Sequence, residues 1–416
     1  MPDFYLGVAM VHIVGSASTA FRRHPERDHR SLAEEALRGA LAQAELPAFE
    51  GLAGVWFGAC ALHAWGQPNV GGQVTLAPLV GTLVPEGTPI VNVEAGCATG
   101  SAALNGAAHA ISAGADLALA VGVEKTWIPQ DPARSFALFA GGADVLRAEE
   151  WLEPVAAEAA RHGLTFAPHP GRVVFLDLHA LTAEHHMAAH GITAAQIAKV
   201  ASKDHAHGAL NDKAQYRKAM TVEQVLADKA VVGPLTRSMC APISDGAAAV
   251  LLASDAWVRR HSAPSVRLRG MGLAGGRRRG LDAPSVTALA ARKAWAASGV
   301  APEDIQLAEV HDATSACALQ HLEALGLCDH GASGALAERD HWSLGGDVPV
   351  NTSGGLVSKG HPLAATGLGM IDELCTQLRG RAGARQVQGA RIAVAQNAGG
   401  SVGLDEALAA VTVLEG

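Results

Sequence analysis

Short apolar runs alternate along this chain with longer stretches of small helix-forming residues, and that alternation predicts a layered α/β protein. Ile90 to Val93 is an apolar run bounded by Pro89 and a small-residue turn, which predicts a buried strand. Thr99 to Ala113 predicts a helix, with Gly114 where a helix should stop. Leu117 to Val123 is a second apolar run, so the unit is strand, turn, helix, strand. Ahead of it, a helix over Leu32 to Leu46 leads through Pro47 to a strand over Gly54 to Cys60. The same order returns later: a helix over Ser285 to Ser298, then Pro302, then a strand over Ile305 to Val310. V-P-V-N-T-S-G-G at 348–355 predicts a further strand and turn. A helix from Leu363 to Leu378 and a strand over Arg391 to Ala395 follow, closing on N-A-G-G. Two βαβ-rich halves of similar order predict a duplicated, pseudo-two-fold core.

Between the halves, residues 125–238 break the rhythm. At over a hundred residues the segment is too long for an unstructured loop, and it predicts an inserted, partly helical subdomain. A-P-I-S-D-G-A-A-A-V-L-L-A-S at 241–254 returns to the core as a turn and strand. The expected organisation is an N-terminal half over 1–124 completed by 239–256, an inserted loop domain over 125–238, and a C-terminal half over 257–416. The insertion carries eight of the chain's 19 histidines. His186 and His190 have the i, i+4 spacing of metal ligands, but no third ligand accompanies them, and no metal is expected.

Composition narrows the picture. The chain is 49% hydrophobic but only 4% aromatic, with 47 glycines, so its core must be built from close-packed small residues. A formal charge of −8 argues against nucleic acid as a partner. Six cysteines (60, 97, 240, 317, 328, 375) contain no C-x-x-C pair, which excludes a zinc ribbon and a disulfide framework. No charged leader and no apolar run of about 18 residues occurs, so a cytoplasmic protein without a membrane partner is expected. G270-M-G-L-A-G has the spacing of a dinucleotide fingerprint. It is followed by G-R-R-R-G and lacks the acidic residue about 20 positions on, so a loop is expected there.

Cys97 lies in the turn between Gly96 and Gly100, at the mouth of the Thr99 helix. The unpaired N–H groups and helix dipole there favour an anion and should lower the thiol's pKa. A lone cysteine among alanines is more often an inert core residue. His361 follows a glycine-rich turn in S-G-G-L-V-S-K-G-H-P-L-A-A-T-G, where Pro362 fixes the backbone and aims the ring as a general base requires. His311 closes a strand in E-V-H-D-A, and strand ends are where ligands sit in α/β sheets. The N-A-G-G turn from Asn397 offers bare N–H groups, Gly399 among them, to an oxyanion.

Together these motifs resemble those of the thiolases, and within them the sterol-carrier-protein type. The resemblance covers nearly the whole chain: C-A-T-G-S-A-A-L, G-V-E-K, H-G-A-L-N-D-K-A-Q-Y-R-K, P-I-S-D-G-A-A-A-V, E-V-H-D-A, E-A-L-G-L-C and N-T-S-G-G-L-V-S-K-G-H-P-L-A-A-T-G. It implies a thiolase fold with five-stranded sheets, sandwiched helices and the insertion as a cap. It implies an acyl-CoA C-acyltransferase in which Cys97 takes the acyl group, His361 activates it, and His311 polarises a thioester oxygen. Coenzyme A is then substrate and product, with no permanently bound cofactor. The implied assembly is a homodimer or homotetramer, with a small partner polypeptide as a further possibility. Arg277 to Arg279 are either a solvated charge run or contacts for CoA phosphates.

One departure matters. Thiolases of the usual kind carry a second cysteine where Asn397 stands, and the sterol-carrier subgroup carries one where Ala313 stands. Cys317, four residues further on, is either a displaced base or, as favoured here, a core residue. Acyl transfer to Cys97 survives this loss, whereas Claisen condensation becomes doubtful. The rival readings are a retro-aldol lyase acting on CoA-linked side chains and an acyl-CoA-binding subunit that needs a partner.

Overall fold

The computed structural model describes residues 10–169 and 171–416. Its strands are β1 (Val11–Ser18), β2 (Leu52–Gly58), β3 (Ile90–Val93), β4 (Leu117–Glu124), β5 (Ala230–Val232), β6 (Leu235–Thr236), β7 (Gly246–Ser254), β8 (Val266–Gly275), β9 (Leu307–Val310), β10 (Ile392–Gly399) and β11 (Leu408–Glu415). Nine of them form one sheet in the order β3-β2-β4-β7-β1-β8-β11-β10-β9, and β5 pairs with β6 in a separate hairpin.

The large sheet is nearly a palindrome. From its first edge the pairings run parallel, parallel, antiparallel, antiparallel. From the other edge they run parallel at β9–β10, then antiparallel at β10–β11 and β11–β8. The two halves meet where β1 and β8 share three antiparallel residue pairs. The five strands expected of each half are found in the first, β3-β2-β4-β7-β1, and the two halves join in one continuous sheet. Its second half has four strands and a single bridge between Ala308 and Val350. Pro349 has no N–H to donate, and Asn351 turns left-handed at φ 55°, so the strand expected at 348–350 ends as it begins.

Two corrections concern glycine-rich stretches. The expected loop at 270–275 is the interior of β8. Its glycines are there for close approach: a Cβ on Gly272 would lie 2.1 Å from the carbonyl oxygen of Ala290 on the Val286–Ser298 helix. The expected N-A-G-G turn is strand. β10 runs on through Asn397 to Gly399, held in register against Ala410, Ala409 and Leu408 of β11, a strand that follows it.

Helices Thr99–Ser112 and Leu363–Leu378 fall as expected and pack against each other beneath the sheet. The second is buried at 14 of its 16 positions, which explains its small and apolar residues on every side. A Cβ on Gly100 would lie 2.6 Å from the Ala364 carbonyl oxygen, so glycine there lets the two helix starts touch. Between β4 and β7 the chain forms helices Glu149–Arg161, Val174–His190 and Ala194–Ala209. The last packs into the core of the second half, with Ile197, Val200 and Ala201 among Leu319, Leu322 and Val310. Among the described residues, no helix is long and apolar enough to cross a membrane.

Candidate active site

The touching helix starts bring together two turns from opposite halves. Gly96–Ala98 forms a short 3-10 turn with Cys97 at its centre, and Gly96 takes a left-handed φ of 54°. Thr99 locks it: its Oγ1 accepts the Ala95 N–H at 2.8 Å and donates to the Gly96 carbonyl at 2.7 Å. In the other half, Gly355–Lys359 forms a wide turn, Gly360 has a φ of 116°, and Pro362 caps the helix. The His361 N–H donates to Ser244 Oγ at 3.0 Å, which ties this turn to the approach to β7.

Cys97 Sγ lies 3.2 Å from His361 Nε2. His361 Nδ1 lies 2.8 Å from Thr366 Oγ1, and that hydroxyl donates its one proton to the Pro362 carbonyl at 3.0 Å. Thr366 must therefore accept from Nδ1–H, which leaves Nε2 as a bare lone pair facing the thiol. His311 follows β9 and meets His361 edge to face, ring centroids 5.1 Å apart. Donor atoms of Cys97, His311 and His361 all fall within 4.8 Å of one another.

Asn397 joins this group from β10. Its Nδ2 is 2.9 Å from His311 Nδ1, and its Oδ1 accepts from Ser101 Oγ at 2.9 Å. An amide nitrogen only donates, so His311 Nδ1 is the acceptor and the neutral ring carries its proton on Nε2. Burial, then His361, His321 and His179, hold His311 well below the ordinary histidine range. It is a hydrogen-bond donor to the site and no store of positive charge.

The helix-mouth expectation for Cys97 is reversed. Burial, then the Glu124 carboxylate, push its thiol up to about 12, outweighing the Cys97 and Gly400 N–H groups that favour the thiolate. Burial, then His179, lower His361 to about 3. The resting pair is a neutral thiol facing a neutral imidazole. Glu124 is itself raised to about 7 by burial, while the N–H groups of Ala61, Ala364 and Cys60 favour its charge. It ties the end of β4 to the chain just after β2, at Cys60 and Ala61, and to Ala364 at the start of the Leu363–Leu378 helix.

Gly399 ends β10 packed against the Cys97 backbone, where a Cβ would lie 2.5 Å from the Cys97 nitrogen. The amide that faces the sulfur belongs to the next residue, Gly400. Cys317 is buried in the first turn of helix Ser315–Leu325, its sulfur 3.2 Å from Thr314 Oγ1, and burial raises it to about 12. Ala313 is partly buried among core residues. Gly400 belongs to the N-A-G-G stretch already marked for its N–H groups, whereas Thr366 and Glu124 were not singled out as site residues. Thr366 does lie within the His361 motif, five residues on, which is the one signal that pointed to it.

A cavity of about 480 Å³ opens over Cys97. Leu138, Phe139 and Phe175 of the insertion form an apolar wall, facing Cys60, Asn92 and Gly400 of the core. Arg277 to Arg279 do not line it; Arg279 is committed to Asp405 at 3.0 Å. His186 is committed to Glu323 at 3.0 Å, and His190 packs against its ring at 5.3 Å.

Two family descriptions match the chain: "Thiolase, N-terminal domain" over residues 11–256 and "Thiolase C-terminal domain-like" over 278–413. A Bos taurus protein named sterol carrier protein 2 is 34% identical over 408 residues, covering 94% of this chain and 70% of that protein. An acetyl-CoA acetyltransferase of Methanothermobacter thermautotrophicus is 37% identical over 321 residues, covering 76% of this chain and 78% of its own. Among solved structures, a chain of the Ltp2-ChsH2(DUF35) aldolase superposes with a TM-score of 0.77 at 22% identity, over 99% of this chain and 98% of that one. At that identity the likeness is one of fold.

Proposed function

The chain belongs to the thiolase family, and from that premise we propose that it moves acyl groups to and from coenzyme A through a thioester on Cys97. The observation that carries this reading is the 3.2 Å approach of Cys97 Sγ to a His361 Nε2 whose lone pair is fixed by Thr366. His361 takes the thiol proton as the sulfur attacks the acyl-CoA carbonyl. The Cys97 and Gly400 N–H groups favour negative charge at this point and stabilise the tetrahedral oxyanion. The C–S bond to coenzyme A breaks, and His361 returns the proton to the departing thiol. The same steps in reverse pass the acyl group to an incoming thiol. A thiolate that is costly at rest forms together with the new bond, so the site does not hold a reactive anion while empty.

His311 donates its Nε2–H to the oxygen of the second thioester. No side chain at the two positions where relatives keep a base takes a proton there: one is Asn397 and the other Ala313. Retro-aldol cleavage of a CoA-linked side chain is the second reading. Such cleavage does not need Cys97 as an acyl carrier, and the solved aldolase chain that this fold resembles supports keeping it. The wider proposal is a cytoplasmic homodimer or homotetramer, with all six cysteines free. β3 lies at the sheet edge beside the Cys97 turn with Val91 46% exposed, a surface suited to a second copy or a partner polypeptide.

The test compares two rates. Loading of Cys97 and exchange of free coenzyme A should be fast, and condensation of two acetyl-CoA molecules slower by about 10²–10⁴-fold, the usual worth of a missing general base. Ala313→Cys should raise condensation and leave loading unchanged. If wild type condenses as fast as it loads, and Cys317→Ala abolishes condensation alone, Cys317 is the base and this account of the second site is wrong.

A further inference from the structure

The cap holds a second cluster of metal-type donors that the acyl chemistry leaves unused. Its members come from three separate stretches. His162 ends the Glu149–Arg161 helix, His185 lies on the Val174–His190 helix, and Asp282 lies on the loop after β8. His185 Nε2 is 3.0 Å from Asp282 Oδ1, and His162 Nε2 is 3.9 Å from Oδ2. The two imidazoles meet edge to face at 4.8 Å between centroids. One donor atom from each residue lies within 4.8 Å of the others.

Donors 2.0–2.1 Å from a tetrahedral zinc ion stand about 3.3 Å apart. The two histidine–carboxylate separations bracket that value, and small ring rotations close the rest. The side chains have the room, with His162 25% and Asp282 77% exposed. Glu158 borders the cluster on the same side as the ligating nitrogens. Its Oε1 lies 3.4 Å from His162 Nε2 and accepts the Leu281 N–H at 2.8 Å, which holds the loop one residue before Asp282.

We propose that His162, His185 and Asp282 bind one divalent ion of the zinc class, with water or Glu158 Oε1 completing the shell. Two imidazoles and a carboxylate suit a borderline cation. Both histidines sit on the cap and the carboxylate on the second half, so the ion fastens one to the other. The Val174–His190 helix also carries Phe175 into the wall of the Cys97 cavity. The ion therefore acts on the shape of the acyl pocket and on the cap's stability, and takes no part in the chemistry. The inference stands whether or not Cys97 carries an acyl group.

The experiment uses the full chain without a histidine tag, carrying Cys97→Ala so that the Cys97, His311 and His361 donors cannot compete. The stripped protein is titrated with Zn²⁺ against a chromophoric chelator. One equivalent should bind with submicromolar affinity, and Co²⁺ should show the intense visible bands of a tetrahedral site. His185→Gln and Asp282→Asn should each weaken Zn²⁺ by about 100-fold or more, beyond what loss of an outer partner costs. Asp282 is exposed, so that variant keeps its fold, checked by circular dichroism. His186→Gln should leave the affinity unchanged. The proposal is overturned if no submicromolar site exists, if Asp282→Asn binds as tightly as its parent, or if His186→Gln weakens binding equally.

Discussion

The Gly96–Ala98 turn and the turn from Asn351 to His361 occupy equivalent places in the two halves, and they differ in what surrounds them. Each leaves the sheet after a short strand or bridge and delivers one reactive side chain at the start of a buried helix. The first forms the floor of an open cavity, and β3 before it is half exposed. The second is buried throughout residues 351–375. The open half carries the Cys97 sulfur, at the floor of the cavity. The closed half carries the imidazole, whose tautomer is set by Thr366 and whose backbone is held by Ser244. The two halves present similar helix mouths, and burial sets them apart.

The largest effect should come from breaking the contact between the halves. His361→Ala removes the base while leaving the Cys97 turn intact, and acyl loading should fall by about 10²–10⁴-fold. A stopped-flow measurement of coenzyme A release checks it, and loading at the wild-type rate would separate the two turns functionally.

The open half is sharpened by pH. A thiol pushed up to about 12 is mostly protonated at neutrality, and its thiolate fraction grows with pH. Alkylation of Cys97 by iodoacetamide in the free enzyme should therefore rise about tenfold per unit between pH 7 and 9 without a plateau. A rate already level at pH 7 would mean a resting thiolate–imidazolium pair. The smallest effect belongs to the closed half alone. Thr366→Val removes both hydrogen bonds of the hydroxyl. The one that bears on the base, the bond from His361 Nδ1–H, is worth about 1 kcal/mol, so loading should slow by up to about tenfold. Thr366→Ser should restore it, as a merely structural loss of the methyl would not.

This contrast also explains what the sequence made legible. Unbroken apolar or small-residue runs let β3, β4 and the Thr99 and Leu363 helices be placed closely. The run at Ile90–Val93, expected to be a buried strand, is nevertheless a half-exposed edge strand, because nothing pairs beyond it in the sheet. Asn397 to Gly399 carries turn-forming residues, and only its pairing with β11 holds it extended. Gly270 and Gly272 punctuate β8 for the sake of a helix packed on it, a need invisible in local pattern. The thiol's environment was misjudged for a related reason. The helix mouth is local and could be read, whereas Glu124 and the burial that outweigh it arrive through the fold. Cys97, His311 and His361 stood out because glycine-rich turns and strand ends flag them. Thr366 bears on His361 through a hydroxyl, which carries no distinctive signature.

The central claim is that Cys97 carries the acyl group, and mass spectrometry after brief exposure to acetyl-CoA tests it most directly. The account predicts one added acetyl mass per chain, on the peptide containing Cys97, absent in Cys97→Ala and removed by free coenzyme A. Wild type that never acquires the label, or Cys97→Ala that still does, would contradict it.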